Sequence, residues 1–184
     1  KPGDKVGIKI HTGEFGNSLN LRPHWIKAIV DEVKRLGGNP VIVESNINLI
    51  TSGTGRCDTP THRRTAAGHG FCEESMGCPI LLPDGNFDVE GVKCEVPHGV
   101  YLNCTYLSKH MADLDAVIVV SHFKGHGMGV FGGALKNVGI GMASNRGKCC
   151  AHFLNHPKYG VKSSCVDQDA AQAELKKPHP NNID

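Results

Sequence analysis

The sequence contains no long hydrophobic run, no recognisable signal peptide and few aromatic residues. No apolar segment approaches the roughly 20 residues that a membrane-spanning helix needs. Aromatic residues make up 5% of the 184 residues, the net charge is +2, and there is no basic tail or charge block. Proteins that bind nucleic acids usually present such basic patches and stacking surfaces. We therefore expect neither a membrane partner nor a nucleic-acid partner.

The sequence also lacks a Cys-x-x-Cys pair, although it has eight cysteines. No complete iron–sulfur or zinc-ribbon motif therefore lies within these residues. Four disulfides would suit a short secreted chain, whereas a chain of this length can form its own hydrophobic core. We expect reduced thiols, most of them small core residues, in a cytoplasmic protein.

Hydrophobic periodicity predicts a β-strand, an α-helix and a second strand near the start of the chain. The segment Lys5–Ile10 alternates apolar residues, and Val41–Glu44 is a short apolar run. Between them a helix begins at Pro23, with apolar residues at helical spacing along one face. A strand–helix–strand unit of this length joins parallel strands. The apolar segment Ala116–Val120 is expected in the middle of the same sheet.

These elements predict an α/β fold with a mostly parallel central sheet and helices on both faces. We expect one domain over residues 1–184, with a small strand and loop excursion around residues 70–100. Because the first residue is Lys1 rather than Met, we expect a fragment of a longer protein. Further helices are predicted over residues 59–68, 132–138, 148–153 and 166–177.

Residues 121–148 form a glycine-rich segment that directly follows the apolar strand. In α/β proteins, ligands commonly bind where a buried strand opens into such a turn. Gly132 and Gly133 allow close approach of the backbone, and the start of a helix there would favour negative charge. The segment is rich in cations, including Lys124 and Lys136. It therefore predicts a site for a small anion, either a carboxylate or a phosphate.

Three basic residues can each be interpreted in two ways. Arg63 and Arg64 lie near the end of the predicted helix over residues 59–68, where they are either a solvated C-terminal cap or an anion-binding pair. Lys136 is either an ordinary residue on the helix surface or a cation and amine nucleophile in the pocket. In a pocket, burial and nearby cations would lower its pKa.

Two histidine pairs share the same spacing of four residues and flank the glycine-rich turn. The pairs are His122 with His126 and His152 with His156. On a helix, this spacing places both side chains on one face, where they can chelate a metal. His122 lies at a strand end, where convergence does not follow from the spacing. The alternatives are a divalent metal site, of nickel, zinc or iron, and surface histidines without a ligand.

Three sequence segments resemble a widespread family described as a domain of unknown function. The segments are KGHGMGVFGGALKNVGIGMASNRGK, RRTAAGHGF and HTGEFGN. The family is often found in iron–sulfur cluster-binding proteins that carry a ferredoxin-like module. The resemblance implies such a module in the full-length protein. It implies an iron–sulfur cluster only if a further C-terminal part supplies the cysteines.

A more distant resemblance is to the N-terminal domain of nickel-pincer lactate racemases. His126, Lys136 and His152 reproduce the spacing of a catalytic histidine, a cofactor-anchoring lysine and a metal-binding histidine. The resemblance implies that Lys136, with Asn137 beside it, holds the cofactor and that His152 ligates the metal. It also implies that His69 and His126 act as an acid/base pair.

Three functions remain open at this point. The first is a ligand- and metal-binding domain of an iron–sulfur protein that serves a redox or isomerase reaction. The second is a racemase- or isomerase-like enzyme with a metal cofactor anchored on Lys136. The third is a non-catalytic binding or scaffold domain.

Overall fold

The computed structural model describes residues 1–47, 54–83, 91–99, 102, 104–126 and 130–153. The strands are β1 (Lys5–Lys9), β2 (Asn39–Val43), β3 (Ile80–Leu81), β4 (Val92–Glu95), β5 (Cys104–Leu107), β6 (Ala116–Val119), β7 (Lys124–His126) and β8 (Val130–Gly132). The helices are α1 (Pro23–Arg35), α2 (Thr59–Gly68), α3 (Glu73–Met76), α4 (Lys109–Ala112), α5 (Ala134–Gly139) and α6 (Asn145–Phe153). A four-stranded parallel sheet in the order β3-β2-β1-β6 forms the centre, which confirms the predicted α/β fold.

The β1-α1-β2 unit forms as its sequence pattern predicts. Pro23 occupies the first turn of α1, where its missing N–H leaves no hydrogen bond unmade. The helix buries Ile26, Val30 and Val33 along one face. It ends before Gly37, whose φ of 80° is readily adopted by glycine. Among the described residues, no helix is long and apolar enough to cross a membrane.

The sheet carries a hydrophobic core on each face because successive residues of a strand point to opposite sides. Ile8 and Ile42 pack with α1 in one cluster. Val41, Val43 and Met111 form the core of a second cluster. Helices therefore lie on both faces, as predicted.

The position of β6 corrects one expectation. β6 lies at the edge of the sheet and, among the described residues, pairs only with β1. Val117 and Ile118 are 37% and 38% exposed. A continuous apolar run indicates that both faces of a strand can be buried. It does not determine whether the strand has a neighbour on both edges. The parallel connections place β1, not β6, in the interior of the sheet.

The excursion from the sheet is smaller than predicted. β4 pairs antiparallel with β5 outside the central sheet, as expected for an excursion. β3, which lies within the predicted excursion, instead joins the central sheet beside β2. Helices form at residues 59–68, 134–139 and 145–153, close to the predicted positions. The predicted helix over residues 166–177 lies outside the described residues.

The cysteines fit the prediction of core residues only in part. Cys78, Cys104 and Cys150 are buried free thiols, and burial raises the pKa of both Cys78 and Cys150. Cys57, Cys72 and Cys94 are free but only partly buried. Cys149 is disulfide-bonded, which corrects the expectation of a reduced thiol at that position.

Candidate functional site

A cavity of about 140 Å³ lies at the carboxyl ends of three central strands. His11 follows β1, Glu44 follows β2, and Lys124 lies beyond β6; all three line the cavity. The glycine-rich segment and α5 form its other side. Crevices at this edge, where neighbouring strands connect in opposite directions, are the usual ligand sites of open α/β sheets. The sheet thus brings residues from distant parts of the chain to one point.

Cations outnumber carboxylates in the cavity lining. Two carboxylates, Glu14 and Glu44, line it. The cationic side chains that line it are Lys9, Arg56, Lys124, Lys136 and Lys148. His11 adds no charge near neutral pH, because burial and the nearby Arg56 lower its pKa to about 3. The cavity therefore carries an excess of positive charge.

The floor of the cavity is a buried ion pair between Lys9 and Glu44. The two side chains are 1% and 2% exposed, and Lys9 Nζ lies 2.8 Å from Glu44 Oε1. Lys9 Nζ also donates to Ile10 O at 2.6 Å and to Asn137 Oδ1 at 2.7 Å. Burial alone would raise the pKa of Glu44, but Lys9 and the other nearby cations hold it well below its usual range. The pair joins β1, β2 and α5.

Arg56 bridges the floor and the rim of the cavity. Its Nη1 lies 3.5 Å from Glu44 Oε2, and its Nη2 lies 3.4 Å from Glu14 Oε1. The side chain is buried, and its Nε has no hydrogen-bond partner among the described residues. A buried N–H without an acceptor is costly, so Arg56 keeps its position in the lining at the expense of one unmet donor.

Lys124 and Lys136 have no hydrogen-bond or ion-pair acceptor within the part of the chain that the structure describes. Lys136 is half-buried on α5, and burial followed by the charge of Lys124 lowers its pKa. His126 lies in the same cavity, and burial and then Lys136 lower its pKa. A neutral imidazole and two ammonium groups therefore face one small space.

Asn137 fixes α5 at the sheet edge. Its Nδ2 donates to Val120 O and to Ser121 Oγ, both at 3.1 Å, while its Oδ1 accepts from Lys9. Its backbone N–H also donates to Gly133 O at 2.9 Å, in the first turn of α5. The side-chain amide is thus occupied within the protein. By anchoring α5, Asn137 fixes the helix that carries Lys136.

Lys148 closes the cavity from α6. Its Nζ donates to Ser45 Oγ at 2.8 Å and to Ala143 O at 2.5 Å. Ser45 Oγ in turn donates to Gly141 O at 2.6 Å. These contacts connect the end of β2 with the turn after α5. Lys148 and Lys9 are both buried cations whose hydrogen bonds connect the elements around the cavity.

Two of the three predicted metal-binding histidines lie within the described residues, and they lie on different parts of the fold. His152 lies on α6 and donates from Nδ1 to Lys148 O at 2.6 Å; burial lowers its pKa. His122 is exposed beyond β6, and His156 lies outside the described residues. Within the described ranges, no group of three or more His, Cys, Asp or Glu side chains could hold a metal ion. Metal binding stays a prediction.

The predicted acid/base pair is divided between two cavities. His126 lines the cavity described above, whereas His69 and Arg64 line a separate cavity of about 540 Å³. His69 Nδ1 donates to Thr12 O at 2.8 Å, which fixes its ring near the start of the chain. Arg63 and Arg64 are exposed and line no part of the Lys9–Glu44 cavity. They lie in the middle of α2 (Thr59–Gly68), and no basic residue lies in its last turn, so neither arginine caps the helix.

Several residues of the site were not predicted from the sequence, among them Lys9, Glu44 and Arg56. Lys9 and Glu44 lie in or just after apolar strands, where a charged residue at a buried position is a usable signal. Arg56 lies in a loop that has no recognisable motif, so only the tertiary structure identifies it. By contrast, Lys124, His126, Gly132, Gly133, Lys136 and Asn137 were predicted and all line the cavity.

One comparison with known proteins gives a match. A family model described as a domain of unknown function, DUF362, matches residues 6–179. No curated protein and no solved structure matches the chain. The match covers most of the chain and confirms the resemblance to an uncharacterised family. The links to iron–sulfur proteins and to lactate racemases stay predictions.

Proposed function

We propose that this chain, which belongs to the DUF362 family, binds a small anionic metabolite in the cavity at the sheet edge. The residues that would bind it are Lys124, Lys136 and Arg56. The observation that carries the proposal is that Lys124 and Lys136, both unpaired among the described residues, line one cavity together with Arg56. Cations that repel one another in a small cavity are stabilised when an anion lies between them.

The size and charge of the cavity limit the ligand. About 140 Å³ is well below the roughly 300–1,000 Å³ of pockets for drug-sized molecules. The excess of cations suits a ligand with one or two negative charges. A small carboxylate or a phosphate group meets both conditions. A bare divalent cation is disfavoured by the same charges, so a metal would need to enter as part of an anionic group.

Binding of test anions to the wild-type chain tests this proposal. Isothermal titration calorimetry with inorganic phosphate and with malonate distinguishes the two ligand chemistries. Each lysine that donates a charged hydrogen bond contributes about 1.5–3 kcal/mol. We expect Lys124→Met and Lys136→Met each to weaken binding roughly 10- to 100-fold.

The matched control is Lys93→Met, which removes the same charge from an exposed residue of β4 that pairs with Glu95. It should bind the anions as the wild-type chain does. If no test anion binds the wild-type chain, or if Lys93→Met weakens binding as much as the cavity variants do, the proposal is wrong.

Proton transfer to or from the bound anion is a second candidate function. It is favoured by His126, which lies in the cavity with its pKa lowered by burial and by Lys136. A neutral imidazole can accept a proton from a carbon next to a carboxylate. This extends the racemase-like and isomerase-like prediction, in which Lys136 also anchors a cofactor.

The test follows loss of carbon-bound protons from small 2-hydroxy and 2-oxo carboxylates in D₂O by NMR. We expect exchange with the wild-type chain and its loss in His126→Gln, with anion affinity retained. Binding without exchange would leave the chain as a non-catalytic anion-binding domain.

The predicted metal site requires its own measurement. The hydrogen bond from His152 Nδ1 to a backbone carbonyl is the arrangement that orients a metal-ligating histidine through its other nitrogen. Native mass spectrometry of the chain from its own host would show a bound metal or an adduct on Lys136. Loss of that mass in His152→Ala, but not in His98→Ala, would support the metal prediction.

A further inference from the structure

Exposed apolar side chains are concentrated in β6, the β7–β8 hairpin and α5. Twelve large hydrophobic side chains are exposed in the described residues, and seven of them lie between residues 117 and 138. These are Val117, Ile118, Phe123, Val130, Phe131, Leu135 and Val138, which we call the β6 surface. Phe123 and Phe131 pack on each other with ring centroids 5.5 Å apart. Such clustering marks an interaction site.

The edge of β6 lacks the features that usually protect an exposed strand. Natural edge strands carry charged residues, proline or a bulge, because an unpaired edge readily adds another strand. β6 reads Ala-Val-Ile-Val and pairs in register with β1 without interruption. Val117 and Ile118 are neighbours in sequence, so they point to opposite faces, and both are more than one-third exposed. The outer edge of β6 is therefore suited to pairing with a further strand, and the exposed side chains on its two faces are suited to burial.

We propose that a second copy of this chain covers the β6 surface by pairing its own β6 antiparallel to the first. Two four-stranded sheets would then join across a twofold axis into one eight-stranded sheet. A twofold contact of this kind uses the same surface on both copies and closes at a dimer. Each copy would then cover the outer edge of the other copy's β6.

The charges that flank β6 decide the direction of pairing. Asp113 and Asp115 precede the strand, whereas His122 and Lys124 follow it, and all four are exposed. Antiparallel pairing places the acidic start of one strand beside the basic end of the other. Parallel pairing would place carboxylate beside carboxylate and cation beside cation, which is unfavourable.

Sedimentation equilibrium over a concentration series tests the proposal. We expect the wild-type chain to form a dimer. Ile118→Lys places a charge at the centre of the edge strand. Natural edge strands avoid pairing by carrying such charges, so this variant should weaken association at least tenfold. Leu36→Lys makes the same kind of change at a residue that is 59% exposed outside the β6 surface, and should leave the association unchanged.

Far-UV circular dichroism of each variant establishes that it is folded. A wild-type chain that stays monomeric to about 0.1 mM would overturn the proposal, because weak specific contacts still associate at such concentrations. Equal association constants for Ile118→Lys and the wild-type chain would also overturn it.

Hydrogen–deuterium exchange of the wild-type chain gives a measurement that needs no variant. Amides of residues 116–120 should become more protected as the concentration rises through the dimer transition. Protection that does not change with concentration would mean that another part of the same chain covers β6, and would overturn the proposal. This test is independent of anion binding, so either proposal can fail alone.

Discussion

Replacing Lys9 by methionine removes the cation at the floor of the cavity and keeps a side chain of similar length. Glu44 would remain buried, with Arg56 Nη1 at 3.5 Å from its Oε2 as a weaker partner. Breaking a buried ion pair from one side costs about 3–5 kcal/mol, because a charge is left without its partner. Since Arg56 compensates in part, we expect a loss near the lower value, about 3 kcal/mol.

The pH dependence of this loss identifies its cause. In the wild-type chain the pKa of Glu44 is lowered, so its contribution to stability is present above the ordinary glutamate pKa and is lost as the pH falls below it. Without Lys9, burial raises that pKa. Glu44 can then take up a proton and avoid an unpaired charge. The destabilisation by Lys9→Met should therefore be largest at neutral pH and smaller in acid.

Urea denaturation followed by circular dichroism measures both effects. Lys9→Met/Glu44→Gln should recover part of the loss, because the unpaired charge is gone. Lys27→Met removes an exposed ion pair with Asp31 and should cost less than about 1 kcal/mol. A Lys9→Met variant within about 1 kcal/mol of wild type at pH 7 would refute the interpretation of Lys9–Glu44 as an essential buried pair.

Three further outcomes follow from the same structure. The affinity for sulfate, measured by calorimetry, should fall as the pH rises. Because the pKa of Lys136 is lowered by burial and by Lys124, the fall should begin below the ordinary lysine pKa. In Lys124→Met the same fall should begin at a higher pH. Gly141→Ala would place a methyl group against the backbone oxygen of Asn137 and 2.9 Å from Lys9 Nζ, and should destabilise the fold by about 1–3 kcal/mol in urea denaturation. Burial lowers the pKa of His62 to about 4. The neutral imidazole therefore stabilises the fold above pH 6.5, and this contribution is lost as the pH falls from 6.5 to 4. The thermal stability of His62→Gln should depend less on pH across this window.

Part of the site could be predicted because it lies in one continuous segment. His126, Gly132, Gly133, Lys136 and Asn137 follow an apolar strand, and a strand that opens into glycines is a local signal. The role of Asn137 was not visible in the sequence, because its amide is occupied by backbone and side-chain groups from other elements.

Other parts of the site depend on contacts between distant segments. Glu44 is 35 residues from Lys9, and Arg56 reaches both Glu44 and Glu14 from a loop. His69 was predicted to act with His126, but the two side chains line different cavities. Sequence spacing specifies how side chains are placed along one element, not which cavity each of them lines.

The sequence by itself determined the elements of this protein and the main features of its fold. Alternating and helical hydrophobic patterns, together with Pro23 and Gly37, specify β1, α1 and β2 because these effects act within a few residues. Tertiary structure alone decided that β6 lies at the sheet edge and that Lys9 and Glu44 form the floor of the cavity. Those outcomes depend on the order in which parallel strands pair and on the desolvation of charges in the interior, which no local pattern records.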